Sequence, residues 1–176
     1  NSFRVEVLNA LAKRKDWAGF RQLYVVSTDA DLRCADLMSR QATIDSPWLE
    51  DALSLWLTGK SQPAQCDDVF TTLKDRGQLT LQRHLDRALL GAKEHNLGLI
   101  RFLARQLPAA ESALLLSYAG FLEAPSAAPM ATWPTDAFSR DIALLGIKRL
   151  AQKDATAAEA LLASAQAHLN FAQRWV

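Results

Sequence analysis

The sequence has few of the residues that build turns, strands and metal or redox sites. Among 176 residues there are seven glycines, six prolines and two cysteines. Glycine and proline fall mostly between periodic segments. No run of about 18 apolar residues occurs, so no segment is predicted to span a membrane. No strand-length stretch alternates apolar and polar residues with a period of two. Together these absences predict an all-α fold.

The sequence also lacks an excess of charge. Lysine and arginine number 20 against 19 aspartates and glutamates, a net charge of +1, so no overall field indicates nucleic acid or a membrane as a partner. His84, His95 and His168 are scattered without a second ligand at metal spacing, and we expect them at the surface or at helix ends. No glycine-rich phosphate loop or Gly-x-Ser-x-Gly motif occurs. We therefore expect no metal and no cofactor.

What the sequence does contain is a succession of helical patterns. Hydrophobic residues make up 49% of the chain, which argues against disorder. The apolar spacing predicts about ten helices. Leu81, Leu85, Ala88 and Ala92 show the clearest period, at i, i+4, i+7 and i+11. Residues 123–135 contain three prolines and are predicted to be an irregular connection.

Residues 55–70 are the most strongly punctuated stretch. The helix before them is predicted to begin at Ser46 as its capping residue, followed by a proline. Gly59 suits the left-handed residue just after a helix. Cys66 and Asp67 are predicted to open the next helix, where an aspartate favours the positive end of the dipole.

A short polar break before a new helix recurs along the chain. It occurs at Lys15-Asp16-Trp17, His95-Asn96-Leu97 and Lys153-Asp154-Ala155, at intervals of 80 and 58 residues, so no fixed repeat period holds. Degenerate helical hairpins stacked into a right-handed superhelix, as a single domain over residues 1–176, explain this pattern. A compact helical bundle is the alternative.

Cys34 and Cys66 lie 32 positions apart on adjacent predicted helices. The residues alone leave two interpretations equally open, a pair of buried free thiols or a disulfide. Two cysteines without clustered histidines argue against a zinc site.

Several segments match a known family in order along the chain. They are Leu32-Arg33-Cys34, the LWLTGKS segment with the proline, Cys-Asp and Phe70 that follow, Asn96–Ala104 and Gly146–Ala151. Over about residues 32–165 the chain thereby resembles the superhelical domain of soluble lytic murein transglycosylases. In that family a long solenoid of helices precedes a lysozyme-like catalytic domain.

The resemblance implies a periplasmic scaffold whose parent protein cleaves peptidoglycan glycan strands at the MurNAc–GlcNAc bond, with a 1,6-anhydro product. It also favours a Cys34–Cys66 disulfide. The family's catalytic glutamate stands in a Glu-Ser context followed by a Gly-Leu-Met-Gln-type segment. Glu111-Ser112 is the only Glu-Ser pair in this chain, and no such segment follows. We therefore expect Glu111 to serve a helix start and the catalytic domain to lie outside this chain.

Candidate glycan or partner contacts are aromatic and basic. Trp133, in the proline-rich connection, is expected to be the most exposed tryptophan and could stack on a sugar. Trp17, Trp48 and Trp56 are expected to pack in the core, and Trp175 ends the chain. A basic group on consecutive helices is either a solvated face or an inner surface that attracts the anionic peptide stems of murein; it comprises Arg83, Arg87, Lys93, Arg101 and Arg105.

Two functions fit these patterns. One is a non-catalytic scaffold that positions the glycan strand of peptidoglycan. The other is a free-standing helical-repeat module, similar to a tetratricopeptide array, whose concave face binds a protein partner. Periodicity and capping support both equally, whereas the ordered motifs and the cysteine pair favour the scaffold.

Overall fold

The computed structural model describes residues 2–170, so Trp175 lies outside the described residues. Within that range the protein has eleven α-helices and one turn of 3-10 helix, and no β-strand. The all-α prediction is confirmed. None of these helices is long and apolar enough to cross a membrane. The chain divides into two compact units, the first ending at Arg83 and the second beginning at His84. The single superhelical domain stays a prediction.

The first unit contains five α-helices and the start of a sixth. They are α1 (Ser2–Lys13), α2 (Trp17–Leu23), α3 (Ala30–Ser39), α4 (Ser46–Trp56), a 3-10 turn (Ala64–Cys66), α5 (Asp67–Asp75) and the beginning of α6 (Leu81–Lys93).

The second unit contains the rest of α6 and five further helices. They are α7 (Leu97–Ala104), α8 (Ala109–Glu123), α9 (Ala127–Met130), α10 (Ala137–Ala151) and α11 (Ala155–Leu169). The short helix α9 lies inside residues 123–135, so the prediction of a wholly irregular connection is wrong there. Met130, at the end of α9, is fully buried, so this part of the connection packs against the rest of the unit.

Aspartate and asparagine side chains start most of these helices. Within residues 2–170, six of them accept a hydrogen bond of 2.7–3.1 Å from the backbone N–H three residues later, which contributes about 1 kcal/mol per helix. They are Asp16, Asp29, Asp45, Asn96, Asp136 and Asp154. The prediction of Ser46 as a cap is wrong, because Asp45 holds that position and Ser46 is already helical.

The α1–α2 and α6–α7 connections use the same local structure. Lys15 and His95 both have left-handed backbone, at φ 55°. The following Asp16 N–H donates to the Leu11 carbonyl at 2.9 Å, and the Asn96 N–H donates to the Gly91 carbonyl at 2.8 Å. Each connection therefore closes one helix with a Schellman motif and caps the next helix with the adjacent residue.

The left-handed glycine predicted at Gly59 is found elsewhere. Gly77, after α5, has φ 68° and is the left-handed glycine of the described residues. At Gly59 the prediction is wrong, because α4 ends at Trp56 and its capping residue Leu57 has φ −76° and ψ 66°. The Leu57 N–H still donates to the Leu53 carbonyl at 2.8 Å, so the chain leaves α4 without a left-handed residue.

The core of the first unit joins α1, α2 and α3 and continues into α4. Leu8, Phe20 and Leu32 are buried against one another. In α4, Trp48 is buried and its indole N–H donates to the Leu37 carbonyl of α3 at 2.9 Å. Trp56 packs edge-on against Phe70, with 5.3 Å between ring centroids. Trp48 and Trp56 are thus core residues, as predicted, while Trp17 is half-buried beside Phe20.

The core of the second unit brings α8 and α10 into close contact. Gly146 of α10 faces the Phe121 ring of α8, and a Cβ atom at this glycine would lie 2.3 Å from the ring. Only a glycine therefore allows this approach. The Tyr118 hydroxyl and the Ser139 hydroxyl are 2.7 Å apart and form a buried hydrogen bond between the same two helices.

Candidate functional site

The disulfide fixes the end of the 55–70 stretch. Cys34 in α3 and Cys66 in the 3-10 turn are bonded, with Cα atoms 5.0 Å apart and 32 positions between them in sequence. Both residues are fully buried. Closing a loop of this length stabilises the fold by about 3.5–4 kcal/mol on the chain-entropy model. The pairing favoured by the resemblance is present, and it ties the entry to α5 to the middle of α3.

The first unit also contains a cavity along α3, the helix that carries Cys34. Its volume is about 410 Å³, and it is enclosed by the connection between α2 and α3 and by one side of α3 and α4. We call it the α3–α4 cleft. Arg33 and Asp36 of α3 and Arg40, the residue that ends this helix, line the cleft together, because positions i, i+3 and i+7 share one helix face. Asp51 lines it from α4.

An ion-pair network forms part of the wall of the α3–α4 cleft. The Arg40 guanidinium donates to Asp36 Oδ2 at 2.8 Å and to Asp51 Oδ2 at 3.0 Å. Burial would lower the pKa of Arg40, but the hydrogen bonds to Asp51 and Asp36 and the charges of both carboxylates raise it on balance. Arg40 therefore stays charged and holds one oxygen of each carboxylate.

Arg33, Tyr24 and Ser27 are further polar residues of the cleft with defined partners, and the Ser27 hydroxyl accepts from the Asp29 N–H at 3.1 Å. Arg33 donates to the Ser54 hydroxyl at 2.8 Å, and within residues 2–170 it forms no ion pair. The Tyr24 ring stacks on Phe20 at a centroid distance of 5.3 Å. Burial, and then the charge of Asp36, raise the pKa of Tyr24, so its hydroxyl is neutral at physiological pH.

Sequence reasoning did not identify this cleft. The available signal was the Asp36–Arg40 pair at i, i+4 on α3. The sequence carries no equivalent signal for the approach of Asp51, because that contact depends on how α4 packs.

The prediction that Trp133 is exposed is wrong. Its side chain is 5% exposed and packs edge-on against Tyr118 and Phe121 of α8, at centroid distances of 4.7 and 5.0 Å. Its indole N–H donates to the Ser117 hydroxyl at 2.9 Å. A sugar could reach the ring only if this cluster opened, so we place no glycan contact there.

The predicted basic contacts have different environments. Arg83, at the end of the first unit, donates to the Gln78 carbonyl and to its side-chain oxygen. In the second unit, Arg101 pairs with Glu123 at 2.7 Å, and the Arg105 guanidinium lies 5.8 Å from the centre of the Phe102 ring. Such exposed pairs contribute little to stability.

The expectation that Arg87 and His84 face solvent is wrong. Arg87 is 2% exposed and His84 is also buried. Burial lowers the pKa of Arg87 to about 10. The reason is the orientation of α6, whose buried positions recur at i, i+3, i+4, i+7 and i+8. These positions are His84, Arg87, Ala88, Gly91 and Ala92. Leu81, the first residue of the predicted stripe, is exposed instead.

His95 and His168 are exposed at helix ends, as predicted. Partial burial, and then the charges of Arg149 and Lys153, lower the pKa of His95. Arg149 donates to the Lys93 carbonyl at 3.4 Å. The basic residues here lie near the C-terminal ends of α6 and α10, where a positive charge interacts favourably with the helix dipole. Among residues 2–170, no group of three or more His, Cys, Asp or Glu could hold a metal ion.

Glu111 lies in the first turn of α8, three residues after Pro108, which caps the helix. The Ser112 N–H donates to the Pro108 carbonyl at 2.8 Å. This is the helix-start position that the sequence predicted.

Helical hairpins without a strand in the described residues define an all-α protein. No family model matches the chain, but known proteins do. It is 31% identical over 163 residues to the soluble lytic murein transglycosylase of Escherichia coli K12. It is 30% identical over 164 residues to that of Salmonella typhimurium LT2. Each match covers 89% of this chain and 25% of the relative, so the chain spans about a quarter of the length of these relatives.

Solved structures give the same result. The 70-kDa soluble lytic transglycosylase in complex with bulgecin A matches with a TM-score of 0.84 and 27% identity, over 98% of this chain and 28% of that one. An inactive mutant of the lytic transglycosylase Slt from Pseudomonas aeruginosa matches with a TM-score of 0.74 and 30% identity, over 97% and 28%. The chain is homologous to the soluble lytic murein transglycosylases, in their superhelical region.

Proposed function

We propose that this chain is the non-catalytic helical scaffold of a periplasmic lytic murein transglycosylase. In this role it positions a peptidoglycan glycan strand for a catalytic domain elsewhere in the parent protein. That domain would cleave the MurNAc–GlcNAc bond and leave a 1,6-anhydro product. The observation that carries the proposal is a match over 98% of this chain to only 28% of a soluble lytic transglycosylase.

Two features of the chain support the proposal. The buried Cys34–Cys66 disulfide is typical of proteins from oxidising compartments, among them the bacterial periplasm. Glu111, of the chain's single Glu-Ser pair, lies in the first turn of α8, where a carboxylate favours the helix dipole. The alternative, a free-standing module for a protein partner, has no comparable support.

The proposal is tested with purified murein sacculi. We expect the chain to sediment with the sacculi and to release no 1,6-anhydro muropeptides, whereas a complete soluble lytic transglycosylase on the same sacculi releases them. Anhydro products from the chain alone would contradict the non-catalytic role. A chain that stays in the supernatant would contradict the positioning of glycan.

A further inference from the structure

We propose that the α3–α4 cleft binds an N-acetylated amino-sugar unit of a glycan strand. The identity of the polymer rests on the function proposed above. The site itself rests on the size, charge and hydrogen-bonding groups of the cleft.

The size of the cleft suits a small ligand. Pockets that bind small molecules have volumes of about 300–1,000 Å³, and this cleft has about 410 Å³. Two cavities near the C-terminal end of α10, beside Arg149, have only about 150 and 200 Å³. The basic surface of the second unit is therefore the weaker candidate for a ligand site.

The charge of the cleft suits a neutral ligand. Arg33 and Arg40 contribute two positive charges, and Asp36 and Asp51 contribute two negative ones. Arg40 is already neutralised by both carboxylates. A polyanion would meet these carboxylates, so the cleft does not match nucleic acid or clustered peptide carboxylates.

The free hydrogen-bonding groups of the cleft suit hydroxyl and acetamido groups. Arg40 holds Oδ2 of Asp36 and of Asp51, and within residues 2–170 neither Oδ1 atom receives a hydrogen bond. The network fixes both carboxylates, and the Asp36 and Asp51 side chains keep 19% and 55% of their surface exposed. Arg33 uses one nitrogen on Ser54, and its other donors can meet an acetamido carbonyl. Hydrogen bonds to charged partners are the stronger ones.

The connection that borders the cleft contributes an exposed apolar residue to its lining. Val26 lines the cleft and is 92% exposed, although a valine gains nothing from contact with water. Leu37 and Leu55 also line the cleft but are buried, with 1% and 4% of their surface exposed. An amino sugar presents hydroxyl groups together with C–H faces and an acetamido methyl group, so it matches both the polar wall and the exposed Val26 side chain.

The test is a titration of the ¹⁵N-labelled chain with an N-acetylglucosamine tetrasaccharide, followed by amide chemical shifts. We expect the shifts to concentrate in residues 24–28 and 33–40. Asp51→Asn removes a charged acceptor, and Arg33→Gln removes charged donors. Each substitution should weaken binding about tenfold, as expected for a hydrogen bond to a charged group.

Glu123→Gln in the second unit is the matched control. Its carboxylate pairs with Arg101 as Asp51 pairs with Arg40, and the two side chains are 60% and 55% exposed. This variant should bind the tetrasaccharide as the unmodified chain does. If a cleft variant fails to fold, the titration of the unmodified chain still shows whether the tetrasaccharide binds in the cleft.

Shifts outside the cleft, or no shifts, would overturn the proposal. So would cleft shifts caused by a free murein stem peptide and not by the tetrasaccharide. If the chain sediments with sacculi while the amide shifts of the cleft residues do not change, the assignment of the sugar site to the cleft is wrong and the positioning role stands. If the cleft binds the sugar while the chain does not sediment with sacculi, the positioning role fails and the sugar site stands.

Discussion

The two compact units begin in similar ways but hold their helices together by different means. Each contains a hairpin with a left-handed residue followed by an Asx cap, at Lys15-Asp16 and at His95-Asn96. The first unit then fixes α3 with a disulfide, from Cys34 to Cys66. The second unit contains no cysteine and relies on an aromatic cluster and on the close approach of α10 to α8 at Gly146.

This difference shows which features of the fold are local. The connections depend on three or four consecutive residues and can be read from the sequence. The cross-link and the aromatic cluster depend on which helices meet. A substitution that removes one of these features should therefore destabilise one unit more than the other.

Removal of the disulfide should have the largest effect. Cys34→Ala with Cys66→Ala should lower the free energy of unfolding by about 3.5–4 kcal/mol, measured by urea denaturation. Amide hydrogen exchange should rise more in α3 and α5 than in α8 and α10. Equal losses of protection in both units would contradict the assignment of the cross-link to the first unit alone. Reductant should leave the doubly substituted chain unchanged.

Gly146→Ala should have the next largest effect. The new Cβ would lie 2.3 Å from the Phe121 ring, and such overpacking costs about 1–3 kcal/mol. Gly120→Ala is the control, because nothing lies within 4 Å of its added Cβ. An alanine there should be neutral or stabilise α8 by up to about 1 kcal/mol. Thermal unfolding measures both, and equal effects would contradict the close approach.

Glycine at the two left-handed positions should have a smaller, stabilising effect. Lys15→Gly and His95→Gly relieve the strain of a left-handed residue with a Cβ, a gain of up to about 1 kcal/mol each. Lys153, at the third polar break, is not left-handed. Lys153→Gly should therefore be neutral or destabilising. A stabilised Lys153 variant would show that the three breaks are alike after all.

The two tyrosines should not change the stability near neutral pH, but they should lose their protons at a higher pH than a free tyrosine does. Burial raises the pKa of Tyr118 to about 12, and burial with the charge of Asp36 raises that of Tyr24. Because the unfolded state loses these protons near pH 10, stability is full below pH 10 and falls as the pH rises towards 12. Phenolate absorbance measures the titration. In the Tyr24→Phe variant, a transition near pH 10 before unfolding would contradict the burial of Tyr118.

The sequence predictions succeed for features that depend on consecutive residues and fail for features that depend on contacts between helices. The sequence predicts the helix starts at Asp16, Asn96 and Asp154 because a cap needs only its own next few residues, and all three are confirmed. Trp133 was placed at the surface because proline-rich connections usually lie there, but Tyr118 and Phe121, on another helix, bury it.

The sequence alone also misplaced the left-handed glycine and the face of α6. Gly59 has the right residue type, but α4 ends without a left-handed residue. On α6 the buried stripe includes Arg87, which an apolar period cannot indicate. The α3–α4 cleft was missed because the approach of Asp51 is a matter of packing between helices.

The central claim is that this chain serves as the scaffold of a murein-cleaving enzyme. The most direct test is to sequence the parent coding region beyond the codon for Val176. Our account predicts that the reading frame continues into a lysozyme-like segment with a Glu-Ser pair and a Gly-Leu-Met-Gln-type motif. A reading frame that ends without such a segment would contradict it and would make a free-standing helical module the leading interpretation.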